Sequence, residues 1–525
     1  MARLPGSEPG RRLLLNAAAA PDQRRIPRAA GNPRVSRPGR RAVVIGAGLG
    51  GLACGIRLAA RGLDVTVLEQ EAVIGGRAAQ IREAGYTFDV GPSLITMPWV
   101  LEELFTAAGQ DLHQAVRLRL LDPFYRIAWH GESRSFLFNG DRSAMLEQIG
   151  QFSWADAARY DGFLAASRAI YEQAILVAGR RSFLRLADFL ALVPAMLRLG
   201  ALRSVDAFVG RFFQERHVRQ AFGFHPLFIG GDPFRVPAVY AALAYLQIEQ
   251  GVWYVEGGVH ALIQALGSLL RAVGGRIETG SRVMRILTAG NRVRGVQLEG
   301  GEELAADLVV SNADAVTTAT DLLGRPRPRL RSTMGCYLLY LGTRRSYPQL
   351  QHHTLLVGAD YRGFITDVTR RERLSDDISV YVHAPARTEP GMATTGGESL
   401  AVLLPVPNLR AGMDWQCTST ELRERLLNEL ESPAGLGLTG LRSDIAFEAA
   451  WTPLDFRDRL GAVDGNAFAA EPILRQSAYF RTPNRDRQVS NLYYAGGGTH
   501  PGAGIPGVLL GAEVTSNLIN SDLGL

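Results

Sequence analysis

Val43-Val44-Ile45-Gly46-Ala47-Gly48-Leu49-Gly50-Gly51 runs from a short β-branched apolar stretch straight into a glycine-rich turn. Gly46, Gly48 and Gly51 satisfy the G-x-G-x-x-G spacing. The first glycine permits a tight turn, the second lets backbone approach a pyrophosphate, and the third lets helix and strand pack closely. Residues 49–61 read as a helix and 64–68 as a second strand, the first βαβ half of a Rossmann unit. An anion is then favoured at the helix N-terminus by free N–H groups and the dipole. Glu69 ends the second strand, where an acid accepts ribose hydroxyls.

Two other strings share the spacing without the context. Gly435-Leu436-Gly437-Leu438-Thr439-Gly440 follows a helical stretch and Pro433, so it reads as a loop. Gly502, Gly504 and Gly507 are followed by 18 residues, too few for a second βαβ unit, so no NADPH module is expected. Their segment, Tyr494-Ala495-Gly496-Gly497-Gly498-Thr499-His500-Pro501-Gly502-Ala503-Gly504-Ile505-Pro506-Gly507, instead reads as a second loop on the first ligand. Gly496, Gly498, Gly507 and Val508 are its expected contacts. A helix from Val508 would aim its positive end at the N1–O2 edge of a flavin, stabilising the reduced ring. Gly76 and Arg77, in Glu71-Ala72-Val73-Ile74-Gly75-Gly76-Arg77, turn the chain back so that the guanidinium pairs with the diphosphate. Gly91 and Pro92 of Gly91-Pro92-Ser93 are expected near the isoalloxazine, and Val283 at the same cofactor. A ligand gripped from both ends of the chain points to FAD.

The 525 residues exceed what one compact core holds, so two or more domains are expected. Hydrophobic residues are 46% and charged ones 21%, ordinary for a globular chain. No uncharged apolar run reaches the roughly 18 residues of a membrane span. The net charge of +6 is uneven: residues 1–41 carry ten arginines against Glu8 and Asp22, while the rest carries 47 basic and 49 acidic groups. The leader reads as an unstructured basic segment, and no nucleic-acid partner is expected. Arg11-Arg12 precedes short apolar runs, but Asn16 interrupts them and no cleavage context follows, so a cytoplasmic chain is expected.

Lysine does not occur, which excludes Schiff-base chemistry on lysine and a P-loop lysine. Cys54, Cys336 and Cys417 stand far apart and give neither a disulfide framework nor a thiolate site. No HExxH pattern occurs, His352-His353 read as surface polar residues, and no metal is expected.

The pattern predicts an α/β protein. Its parts are a discontinuous Rossmann-type FAD-binding domain (41–130, 250–325 and 481–525), a helical, membrane-facing subdomain (131–249) and an inserted mixed-sheet substrate domain (326–480), behind a leader at 1–40. Strands are expected at 86–90, 136–138, 276–279, 282–287, 293–298, 307–310, 336–341, 378–383 and 400–406, with helices at 261–273, 419–431 and 508–519.

With these pieces placed, residues 41–520 resemble the bacterial and fungal phytoene desaturases of the flavin amine-oxidase-like superfamily. Three stretches carry the resemblance: His225-Pro226-Leu227-Phe228-Ile229-Gly230-Gly231-Asp232-Pro233-Phe234 leading to Gly251–Gly258, Thr452-Pro453-Leu454-Asp455-Phe456-Arg457-Asp458-Arg459-Leu460, and the Thr-His-Pro-Gly-Ala-Gly-Ile-Pro-Gly core of the second glycine loop. Asp232 stands where relatives often have Asn, and Gly497 where they often have Ala. The resemblance implies FAD, a phytoene substrate, and successive hydride abstraction to flavin N5 with proton loss toward neurosporene or lycopene. A quinone or O2 would receive the electrons. His225, Asp232 and Glu256 are the candidates for a base, with turn capping as the competing role of each. Moving a forty-carbon hydrocarbon through water costs on the order of 30 kcal/mol, so substrate is expected to come straight from a bilayer. Residues 183–213, apolar and edged by Arg181, Arg185, Arg198 and Arg203, are the expected docking region, kinked at Pro194. Peripheral attachment to the inner membrane follows. A carotenoid isomerase, a flavin amine oxidase and a flavin-free prenyl-lipid carrier are the competing readings.

Overall fold

The computed structural model describes residues 39–525. The basic leader therefore lies, but for its last two residues, outside the described residues. A five-stranded parallel sheet is built in the order Leu492–Tyr494, Leu308–Ser311, Arg41–Ile45, Asp64–Leu68, Arg276–Glu278. The chain's first and last strands thus meet in one sheet across a single intervening strand. Strand Arg41–Ile45 is covered on both faces, which is why it reads as an unbroken apolar run. Ala42 and Val44 face the helices, whereas Val43 and Ile45 face a three-stranded meander of Val283–Ala289, Arg292–Leu298 and Glu303–Ala305. Helix Leu49–Ala59 is buried along almost its whole length, against helices Val259–Ala272 and Ile505–Leu523.

The second sheet has seven strands, in the order Ile445–Trp451, Gly335–Thr343, Glu398–Val406, Val380–His383, His353–Val357, Tyr125–Trp129, Ser135–Phe138. All its pairings are antiparallel except that of His353–Val357 with Tyr125–Trp129. The boundary expected at residue 130 therefore cuts between two strands that pair with each other. Tyr125, Ile127, Phe136 and Phe138 are fully buried in this sheet's core, and that burial draws the hairpin away from the segments on either side of it. The hairpin Gln80–Glu83/Tyr86–Asp89 bridges the two sheets, with Ile81 and Phe88 packed against Leu338 and Tyr340.

Residues 142–250 are mostly helical, with Tyr160–Tyr171 packed on Ala242–Gln250. The expected kinked helix over 183–213 is instead a set of short helices, Leu186–Leu190, Val193–Arg198 and Val205–Val209. Pro194 falls in the first turn of Val193–Arg198, where a missing N–H costs no hydrogen bond, so it starts a helix rather than bending one. Among the described residues no helix is long and apolar enough to cross a membrane.

Candidate active site

The two glycine loops touch. A Cβ placed on Gly50 would lie 2.8 Å from the Gly496 nitrogen and 2.6 Å from Asn312 Oδ1. Gly46 sits at φ 93° and donates its N–H to the Leu68 carbonyl at 2.7 Å, locking the turn to the second strand. At Gly51 a Cβ would meet the Gly46 carbonyl oxygen at 2.0 Å, so helix and strand can be this close only with glycine there. Gly48 precedes helix Leu49–Ala59 without a side-chain cap, which leaves the first-turn amides open. Helix Ile505–Leu523 opens in the same way after Gly504, with Pro506 in its first turn.

Both loops border one cavity of about 940 Å³, along with Gly46, Gly48, Glu69, Gly76 and Arg77 from the first half of the chain. Gly91, Pro92, Val283, Gly496, Gly507 and Val508 line it as well. Of the residues read from the sequence as cofactor contacts, Gly51 and Gly498 are not on its wall. Gly51 serves helix packing instead, and Gly498 packs on Ala315 while its neighbour Gly497 faces the cavity.

The polar groups around the first loop fit a diphosphate-linked cofactor. Glu69 is buried; its Oε2 accepts the Ala47 N–H at 2.8 Å and its Oε1 the Glu71 N–H at 3.0 Å. Burial pushes its pKa up and these two amides pull it back. Arg77 donates to Asn466 Oδ1 at 3.2 Å, but its buried Nε has no hydrogen-bond partner. Burial lowers the Arg77 pKa, with the Asp314 carboxylate partly compensating. A buried guanidinium N–H on a cavity wall is an anion donor in waiting. Behind the second loop, buried Arg481 donates to the carbonyls of Gly497 at 2.6 Å, Thr499 at 3.1 Å, Gln476 at 3.2 Å and Ala470 at 3.3 Å. It fixes the loop without touching a carboxylate. Away from the glycines the wall turns apolar, with Phe224, Phe228, Leu246, Leu355, Phe364 and Leu403.

Residues 49–520 match the family model for flavin-containing amine oxidoreductases. A lycopene-forming phytoene desaturase from Pseudescherichia vulneris is 43% identical over 92% of this chain and 100% of its own length. A neurosporene-forming phytoene desaturase from Cereibacter sphaeroides is 38% identical over 91% of this chain and 94% of its own. The chain belongs to the phytoene desaturase branch of the flavin-containing amine oxidoreductases. It is an FAD-dependent oxidoreductase. An oxidoreductase structure from Methanosarcina mazei, 19% identical, has the same fold at a TM-score of 0.61 over 91% of this chain and 100% of that one.

The family segments bring Arg457 and Arg459 to the cavity wall, but not the three polar residues read as candidate bases. His225, Asp232 and Glu256 are all absent from its wall. His225 is buried against Phe224, with ring centroids 4.3 Å apart, and burial pulls its pKa down to about 3. Asp232 is fully buried and braces its turn, accepting the Phe234 N–H at 2.8 Å with Arg370 Nε at 3.5 Å. Glu256 pairs with Arg119 at 2.5 Å and Arg117 at 3.7 Å near the surface.

The structure places other polar residues on the wall. Asn312 follows strand Leu308–Ser311 and stands between the two glycine loops, its Nδ2 3.4 Å from the Gly46 carbonyl oxygen. Its signal in the sequence is one of three polar residues, with Ser311 and Asp314, at the end of an apolar strand, which is too common to single out. Ser93 and Tyr381 also line the cavity. His352 and His353, read as surface residues, are buried with His383. Strand His353–Val357 is covered on both faces, so no alternation marks its polar residues as inside.

Proposed function

We propose that this chain desaturates phytoene, with FAD held by both glycine loops and the polyene lying in the apolar part of the same cavity. The observation that carries the reading is the continuity of that cavity: one wall is glycine, open helix amides and Arg77, the other phenylalanine and leucine. Bound FAD supplies the hydride acceptor. Gly46, Gly48 and Gly76 would leave room for the diphosphate, Arg77 would offer it an unpaired N–H, and Glu69, on the same wall, would hold the ribose. The open N-terminus of Ile505–Leu523 favours negative charge beside it. Phe224, Phe228, Leu246 and Leu403 exclude water and align one C–C bond of the chain.

Substrate enters from a membrane surface. Leu186, Leu190, Leu197 and Phe480 are 44, 55, 61 and 43% exposed, more than a cytosolic surface needs. Phe189 and Phe480 pack at 5.3 Å and join the short helices to residues 478–480. Arg181, Arg185 and Arg198 edge the patch and suit anionic lipid. The cavity wall includes Ala174, Ile175 and Gly179, which precede this segment in the sequence. The electrons leave to a quinone or O2. Expression in a phytoene-making host tests the reading: coloured desaturated carotenoids are expected, and unchanged phytoene would refute it.

A further inference from the structure

Tyr381 is wired from the cavity wall into a buried row of imidazoles. Its hydroxyl lies 2.6 Å from Ser93 Oγ and 2.7 Å from His353 Nδ1. Strand register puts these groups together: His353 is opposite His383 and Leu355 opposite Tyr381, so all four share one face of the sheet. His352 Nε2 is 3.2 Å from His383 Nε2, and His352 Nδ1 is 2.6 Å from the hydroxyl of half-exposed Thr388. The three rings bring one nitrogen each to within 4.8 Å of the others. His353 Nε2, fully buried, has no hydrogen-bond partner.

Three imidazoles in a core cost more than three leucines, and an unpaired buried nitrogen adds to the cost. Burial holds all three neutral and makes the charged ring costly, so only a strongly acidic donor protonates them. Only histidines make up the cluster, so a divalent ion would keep its full charge in a dry core. A cavity-wall hydroxyl hydrogen-bonded to a neutral, buried ring has another use.

We propose that Tyr381 is a catalytic residue that takes the proton released in desaturation, with His353 as the positioning residue behind it that receives the hydroxyl's own proton. The proposal rests on the reading of the chain as a desaturase. With bound FAD as the hydride acceptor, the substrate left behind would be an allylic cation. The C–H bond next to it breaks, its electron pair becomes the new C=C bond, and the proton goes to the Tyr381 oxygen. The hydroxyl's own proton moves to His353 Nδ1, 2.7 Å away, and leaves that ring as the cation. An allylic cation of this acidity needs no anionic base, which agrees with a wall that carries none beside Tyr381.

The test uses the FAD-loaded full chain and phytoene in phosphatidylcholine vesicles, without oxygen. Wild-type enzyme should form the product with a normal solvent deuterium isotope effect on the desaturation step. Tyr381→Phe should slow that step by about 10²-fold or more, with FAD content and the KM for phytoene unchanged and the isotope effect gone. In substrate-free protein, ¹⁵N NMR of labelled histidine should show His353 protonated at Nε2. A wild-type step with no solvent isotope effect overturns the proposal and needs no variant. So does a Phe variant that turns over at the wild-type rate or changes KM alone, a His353 protonated at Nδ1, or one equivalent of tightly bound divalent metal that His383→Ala removes. Wild-type enzyme that never converts phytoene overturns the desaturase reading itself, and the relay with it.

Discussion

At the scale of single residues, the end of the cavity where the two glycine loops meet is made by atoms that are absent. Gly50 is the sharpest case, because its missing Cβ is the space in which the head of the chain meets Gly496. Gly50→Val should overpack that contact at a cost of about 1–3 kcal/mol. FAD affinity should fall by roughly tenfold or more, read as the flavin-to-protein absorbance ratio after dialysis. A variant that keeps a full complement of flavin would show that the loops do not meet as described. That Gly46, Gly48, Glu69 and Arg77 share one cavity wall was legible in the sequence because each has a fixed place relative to a strand and a helix start. Asn312 and Tyr381 were not legible: each is one of several polar residues in or just after an apolar strand, and only the folded register carries them to the wall. His352 and His353 were misplaced for the same reason. A sheet covered on both faces hides polar residues without any alternation to betray them.

At the scale of elements, the second loop is tied to the helical region by His500. Its Nε2 lies 3.1 Å from the Ala178 carbonyl oxygen, and its ring meets Phe183 at 4.8 Å. Burial pulls its pKa from 6.5 down to about 4. The unfolded chain therefore takes up a proton near pH 6.5 that the folded chain refuses until about pH 4. The stabilisation is present above pH 6.5 and is lost as pH falls toward 4, by about 3 kcal/mol in all. Chemical denaturation of wild type and His500→Gln across this window should show the wild type losing more stability than the variant; parallel curves would exclude the assignment. The strands and helices near the glycine loops were foreseen because their patterns are long. Helices of five or six residues, such as Leu186–Leu190 and Val193–Arg198, carry too few turns for a period to emerge, so the 183–213 stretch read as one element.

At the scale of the whole molecule, one face carries an apolar, arginine-edged patch and one cavity spans both sheets' domains. The double substitution Leu190→Glu/Leu197→Glu should abolish sedimentation with anionic vesicles while leaving FAD content untouched, since neither side chain lines the cavity. Unchanged sedimentation would place the docking face elsewhere. The discontinuous architecture was legible in outline, because two glycine loops at opposite ends implied one ligand. The hairpin of residues 125–138 was not, since its partner strand is more than 200 residues away in sequence. The central claim is that FAD and the polyene share one cavity in which the head and tail of the chain meet. It is tested most directly by mixing the purified FAD-loaded protein with phytoene vesicles without oxygen and following the flavin's visible absorbance. The account predicts that the flavin bleaches and that one C–C bond is desaturated for each flavin reduced; a flavin that stays oxidised in the presence of phytoene, or folded protein that takes up no FAD, would contradict it.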